Sequence, residues 1–172
     1  SREVLFREEQ RLADTGWIFL VYAGALAAWG SLAARVLLGG AGKARQPLWL
    51  AWLLALVYGV LFPVFFRGVR LTVEVDGDGV VYRYFPFHRR PHRIPFSRVI
   101  SVRSVTYHPI QDFGGWGIRF GLGRRKAYTV SGREGVELEL QDGWRVLLGS
   151  RRPGQLLSAL EAAMEEKGIS AP

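Results

Sequence analysis

Two long stretches of the chain, Gly16–Ala34 and Pro47–Phe66, contain no charged residue and are apolar all round rather than along one stripe. Each is about 20 residues, the length a helix needs to cross roughly 30 Å of hydrocarbon. A short glycine-rich connector separates them, so a two-helix transmembrane hairpin is expected over residues 16–67. After Arg67 the pattern changes to alternation. Leu71, Val73 and Val75 alternate with Thr72 and Glu74, Asp76-Gly77-Asp78-Gly79 turns the chain, and Val80–Phe85 returns, which predicts a β-hairpin. Further strands are expected at Ile94–Phe96, Val99–Tyr107, Trp116–Phe120 and Ala127–Val130, with glycine and proline between them. Val136, Leu138 and Leu140 then alternate with Glu137 and Glu139, Asp142-Gly143 turns, and Trp144, Val146 and Leu148 pair back. From Ser150–Pro153 onward the period becomes helical, with Leu156, Leu157, Leu160 and Met164 on one stripe. The pattern divides the chain into an N-terminal interfacial segment (1–15), a membrane α-helical hairpin (16–67) and a β-rich barrel or sandwich of six or seven strands with one C-terminal α-helix (68–172).

The flanking residues refine this picture. Glu8, Glu9 and Asp14 precede the first apolar run, unlike the positive leader of a cleaved signal peptide, so the run is expected to be retained as a helix. Trp17, Trp49 and Trp52 fall near the helix starts, Arg35 near the end of the first helix, and Arg67 and Arg70 at the end of the second. These six are expected at the membrane interface, where aromatic rings and snorkelling cations sit. Trp29 and Tyr58 lie deeper and are expected to pack protein against protein. Ala23, Gly24, Ala27, Ala28 and Ser31 place small residues four apart on adjoining faces, which suits close packing against the second helix of the hairpin or against a partner helix. Arg2, Arg7, Arg11, Arg67 and Arg70 on the side of both termini outnumber Arg35, Lys43 and Arg45 on the connector side, which favours cytoplasmic termini.

Composition narrows the chemistry. The formal charge of +8 suits either an anionic membrane surface or nucleic acid, and with two spans the bilayer is the simpler partner. The absence of cysteine excludes disulfides, thiolate chemistry and cysteine-based zinc sites. Neither span contains His, Asp, Glu, Lys, Asn, Gln or Met, so the spans hold no proton relay and no ordinary axial ligand. No nucleophile motif, helix-borne metal pair or carboxylate pair stands out, so neither catalysis, a cofactor nor a small-molecule substrate is expected.

Two basic runs remain. His88-Arg89-Arg90-Pro91-His92-Arg93 reads as a contact for anionic headgroups or as a solvated strand connection marked by Pro86, Pro91 and Pro95. Arg124-Arg125-Lys126 follows the glycine-rich stretch 114–123, whose spacing fits no phosphate-cradling motif, and reads as an exposed hairpin tip open to lipid or an acidic partner. His88, His92 and His108 have no acidic residue among them, which argues against a metal site. Tyr82, Tyr84, Phe85 and Phe87 beside arginines are a base-stacking composition, but membrane attachment and the acidic positions of the late strands argue against nucleic acid.

Several segments carry a resemblance. Phe6-Arg7-Glu8-Glu9-Gln10-Arg11, His108-Pro109 followed by Gly114-Gly115-Trp116-Gly117-Ile118-Arg119, Tyr128-Thr129-Val130-Ser131-Gly132, and Gly149-Ser150-Arg151-Arg152-Pro153 together resemble a family of uncharacterised bacterial proteins with two transmembrane helices and a pleckstrin-homology-like domain. The resemblance covers nearly the whole chain. It implies a pleckstrin-homology-like barrel or sandwich closed by its C-terminal helix, and residence in the bacterial inner (plasma) membrane. The acidic Asp76–Gly79 turn stands where eukaryotic lipid-binding relatives carry a basic loop, so phosphoinositide recognition of that kind is not expected. The function expected is a membrane-anchored, noncatalytic assembly module that associates with itself or with a larger membrane complex. The alternatives are a peripheral sensor of anionic lipid and a cofactor-free accessory of an energy-transducing, for instance photosynthetic, complex.

Overall fold

The computed structural model describes residues 4–37 and 47–169. The chain divides into two units, one made of Arg11–Val69 and the other of Ser1–Gln10 together with Arg70–Pro172. Arg2, Lys43 and Arg45, used above for orientation, lie outside the described residues.

The helical unit contains α1 (Trp17–Leu37) and α2 (Leu48–Gly68), each long and apolar enough to cross a membrane. Their seam is narrow. α1 buries Ile18, Ala25 and Leu32, one residue every two turns, and α2 buries Ala51 and Ala55, with Leu32, Ala51 and Ala55 forming one cluster. A π turn at Val57–Leu61 interrupts α2 just ahead of Pro63, whose missing N–H would otherwise bond the Gly59 carbonyl. The Trp29 indole lies on Gly59, where a Cβ would come within 2.3 Å of Nε1, and Nε1 donates a long hydrogen bond of 3.4 Å to the Gly59 carbonyl. Trp29 therefore makes the helix–helix contact its depth suggested, whereas Tyr58 stacks along its own helix on Phe62, 5.1 Å between centroids.

The β unit has two sheets. β1 (Val4–Arg11), β2 (Arg70–Asp76), β3 (Gly79–Phe85) and β4 (His92–Pro95) form a four-stranded sheet in that order. β5 (Val99–Thr106), β6 (Gly117–Gly121), β7 (Arg125–Thr129), β8 (Glu134–Leu140) and β9 (Arg145–Gly149) form a five-stranded sheet in the order β5-β8-β9-β7-β6. The expected β2–β3 hairpin pairs Val73 with Tyr82, and Asp76 Oδ1 accepts the N–H groups of Asp78 and Gly79 at 3.0 Å each to close its turn. Leu71, Val73, Val75, Val80, Tyr82 and Tyr84 are buried from the first sheet, and Val136, Leu138, Leu140, Val146 and Leu148 from the second. A C-terminal helix buries Leu156, Leu160, Ala163 and Met164 and packs against β2, β5 and β8, so it closes the core across both sheets.

Three features depart from the sequence expectation. There are nine strands among the described residues rather than six or seven: β1 is added from residues 4–11, and β6 and β7, at the expected positions, form a hairpin whose β7 runs parallel to β9, Ala127 opposite Leu147. Alternation tells which face a residue takes but not which strand lies beside it. A five-residue helix, α3 (Pro109–Phe113), ends at Gly114 with φ +70° and sets Phe113 against Tyr107, Ala127 and Leu147; the C-terminal helix, Pro153–Glu166, is accordingly α4.

The third departure is β1 itself. Residues assigned to an interfacial segment form a strand whose inward face is Phe6, Glu8 and Gln10. The Glu8 carboxylate accepts the Ser150 hydroxyl at 2.5 Å and the Arg151 N–H at 2.8 Å, while the Gln10 side-chain amide donates to the Gly149 carbonyl at 2.8 Å. Ser150 Oγ also accepts the N–H of Arg152, whose guanidinium stands over the Phe6 ring and donates to the Arg7 carbonyl at 3.1 Å. Two of the segments that carry the resemblance, 6–11 and 149–153, thus meet in one buried polar junction. Glu8→Ala strands the Ser150 hydroxyl and the Arg151 N–H, and is expected to cost the β unit about 1–3 kcal/mol in urea unfolding. Glu74→Ala, which breaks a half-exposed pair with Arg7, is expected to cost under about 1 kcal/mol.

Candidate functional site

The structure sorts the basic residues by what holds them. Arg93 on β4 donates to both carboxylate oxygens of Asp76 at 2.8 and 2.6 Å, and that charge-assisted fork, set against a smaller opposing effect of burial, holds the Asp76 carboxyl below its ordinary range. Arg125 on β7 donates to Glu137 Oε2 at 3.1 and 2.8 Å, and Arg103 on β5 grips Oε1 of the same carboxylate. Burial pushes the Glu137 carboxyl up, and the hydrogen bonds and charges of the two arginines outweigh it, leaving a net lowering. Arg93 and Arg125, expected as surface contacts, are thus structural ion pairs. Arg89 and Arg90 stand exposed in the β3–β4 connection, Arg124 lies in the β6–β7 turn and Lys126 on β7 just after it.

The two predicted basic runs partly converge. His88 and His92 stand 4.2 Å apart between ring centroids, and Tyr128 of β7 lies 5.5 Å from His88. Tyr82 of β3 lies 4.6 Å from Tyr128 and 5.7 Å from His92. Lys126 Nζ caps the Tyr128 ring at 5.0 Å, and the cluster joins β3 and β4 of the first sheet to β7 of the second. His88 Nδ1 accepts the Tyr84 N–H at 3.4 Å, a role open only to the neutral ring. Burial first, then the charges of His92 and Lys126, lower the His88 pKa. Burial likewise raises the Tyr84 phenol to about 12.

A third basic feature was not foreseen. The outward face of the first sheet forms a groove of about 370 Å³ lined by Arg7, Glu9, Arg70, Thr72, Glu74 and Arg83, among others. The guanidiniums of Arg70 and Arg83 lie 5.2 and 5.5 Å from the Phe85 ring centroid, and Arg7 Nε meets Glu74 Oε1 at 3.2 Å. Its sequence signal was the charged outward positions of β2 and β3; what hid it was that Arg7 and Glu9 belong to an unrecognised strand. Glu74 is thus paired with Arg7 while Arg70 and Arg83 lie against Phe85, so the face carries three cations and two carboxylates.

In the helical unit, Ala23, Gly24, Ala27 and Ser31 are exposed and Ala28 is half-buried. No atom lies within 4 Å of a Cβ built on Gly24. The small-residue face is therefore not the seam with α2, which runs through Ile18, Ala25 and Leu32. Of the expected interface residues, Trp17 opens α1, Arg35 lies in its last turn, Trp49 and Trp52 lie in the first turns of α2, Arg67 lies in its last turn and Arg70 opens β2.

Among the described residues, no three of His, Cys, Asp and Glu come together as a metal-binding group. Residues 1–166 match the model of a family of unknown function, DUF6141, and the chain belongs to that family. No curated protein matches it.

The histidine–tyrosine junction generates a pH dependence. With its folded pKa lowered, His88 binds its proton more readily in the unfolded chain, whose ordinary value is 6.5. The stability it contributes is complete above that value and is lost as pH falls through the window below it. The urea midpoint of the β unit is expected to drop between pH 7.5 and 5.5, and His88→Gln is expected to flatten that drop. Equal slopes in the parent and in His88→Gln would remove His88 as its source.

Proposed function

For this member of DUF6141 we propose a membrane-anchored, noncatalytic assembly module. In this reading α1 and α2 cross the bacterial inner membrane with both termini in the cytoplasm, and the β unit is a pleckstrin-homology-like domain in which β2–β3–β4 and β5–β8–β9 are the two meanders, α4 is the closing helix and β6–β7 is an insertion. The observation that carries it is how little the two helices bury. Only 17% and 6% of their apolar windows are enclosed by the chain, unlike the core helix of a soluble protein, which supports cover by lipid and leaves room for a partner helix. The partner proposed is a second copy of the chain. With Gly24 and Ala27 exposed, two α1 backbones have room to approach without meeting a long side chain.

Two measurements test this. In lipid nanodiscs or native detergent the parent chain is expected to be recovered as a dimer or larger assembly, and Gly24→Leu with Ala27→Leu is expected to weaken self-association at least about tenfold, roughly 1.4 kcal/mol. A parent chain found only as a monomer sinks the assembly reading. For orientation, a cysteine at Ala41 in the connector should react with an impermeant thiol reagent from outside the cell, while one at Gln155 should not; the reverse pattern inverts the topology.

A further inference from the structure

The most exposed large apolar side chain among the described residues is Leu122, 95% accessible, at the tip of the β6–β7 hairpin. Phe120, two residues back, is 66% accessible. Gly121 pairs with Arg125, which leaves a three-residue loop, Leu122–Arg124, where Gly123 and Arg124 take φ +72° and +56°. A non-glycine residue in left-handed backbone needs outside support. Arg124 has it: Nη1 donates to the Asp142 carbonyl at 3.1 Å, and its own carbonyl accepts the Arg145 N–H at 3.0 Å. The protruding tip is therefore held in place by the β8–β9 turn. β6 lies at the edge of its sheet, so the hairpin projects without a neighbouring strand on that side.

Charge surrounds the apolar tip. No acidic residue occurs between Asp112 and Glu134, and the intervening chain carries Arg119, Arg124, Arg125 and Lys126 around the hairpin. Arg125 is committed to Glu137, leaving three cations as a collar. Lys126 is the cross-strand partner of Phe120 and stands 5.2 Å from its ring centroid, so this cation and this ring share a face. Arg119 is steadied by a hydrogen bond from Nε to the Trp116 carbonyl at 3.1 Å, with its remaining donors available.

We propose that the β6–β7 tip docks on an anionic bilayer surface, with Phe120 and Leu122 entering the acyl boundary and Arg119, Arg124 and Lys126 meeting lipid phosphates. Apolar groups that enter the interface beside cations that attract anionic headgroups are the two components of peripheral membrane binding. An acidic protein partner would use the cations but would leave no reason for a leucine held fully in water on a braced turn. This inference goes beyond self-association and does not depend on it.

The chain has no cysteine, so Leu122→Cys accepts a single environment-sensitive fluorophore. The full chain is placed one copy per nanodisc, in phosphatidylcholine alone or with about one-third phosphatidylglycerol. The expected result is blue-shifted emission and quenching by spin-labelled lipid in the anionic discs. Both effects should weaken at high salt and in Arg119→Gln/Lys126→Gln, by about fivefold in the docked-to-free ratio per cation removed. A label at Gln155→Cys, exposed on α4, should remain water-like in both lipids and confirms that the unit is folded when circular dichroism is unchanged. A water-like label at position 122 in anionic discs overturns the proposal. So does a shift that is the same in both lipids and indifferent to salt, because it assigns the contact to protein or to uncharged interface.

Discussion

The β unit depends on one buried carboxylate. Glu8 lies on the inward face of the first strand, and its two oxygens hold the Ser150 hydroxyl and the Arg151 N–H at the point where β9 gives way to α4. A carboxylate in that position is tolerable only because it is satisfied, since an unpaired charge out of water would cost far more than the strand gains. The junction ties strand to helix start: Ser150 relays the bond to Arg152, and Arg152 reaches back over Phe6 to the Arg7 carbonyl. Placement of α4 across both sheets therefore rests on residues at the opposite end of the chain.

The same logic governs the cations. A net charge of +8 suggests a surface offered wholesale to an anionic partner, yet the strongest pairs are internal. Glu137, with 2% of its side chain accessible, joins β5 and β7 through Arg103 and Arg125, and Asp76 joins β2 to β4 through Arg93. These are structural rivets between strands. The remaining cations are arranged differently: Arg89 and Arg90 in a connection, and Arg119, Arg124 and Lys126 about an exposed apolar tip. Which arginines are spent inside and which face outward is a property of three-dimensional pairing that a run of basic letters conceals.

The parts of the fold that local pattern dictates were legible. Charge-free runs marked α1 and α2, and strict alternation marked β2–β3 and β8–β9, because one residue's environment there follows from its neighbours two or four positions away. β1 was not legible, since its inward face reads Phe-Glu-Gln and the groups that make those polar residues tolerable lie about 140 positions downstream. The parallel seating of β7 beside β9 is invisible for a related reason: both strands read as ordinary alternation whatever their neighbour. Small residues on α1 suggested a packing surface at Ala23, Gly24, Ala27, Ala28 and Ser31, whereas the seam within the hairpin runs through the heptad Ile18, Ala25 and Leu32, which nothing distinguishes in a run that is apolar all round. Phe120 was placed on a strand and Leu122 in a glycine-rich stretch, and neither pattern tells that both side chains stand exposed on an edge hairpin.

The helical hairpin is an insertion between two adjacent strands of one sheet, because β1 precedes α1 and β2 follows α2. This imposes an order on biosynthesis. The first strand leaves the ribosome before either apolar helix and has no sheet to join until both helices have been made. Its buried carboxylate has no partner until Ser150 and Arg151, about 140 residues later, have been made. Until then β2 presents a bare edge, the kind of surface that recruits strands from other chains. A soluble fragment cut to begin after the second helix would carry that nascent-chain hazard permanently.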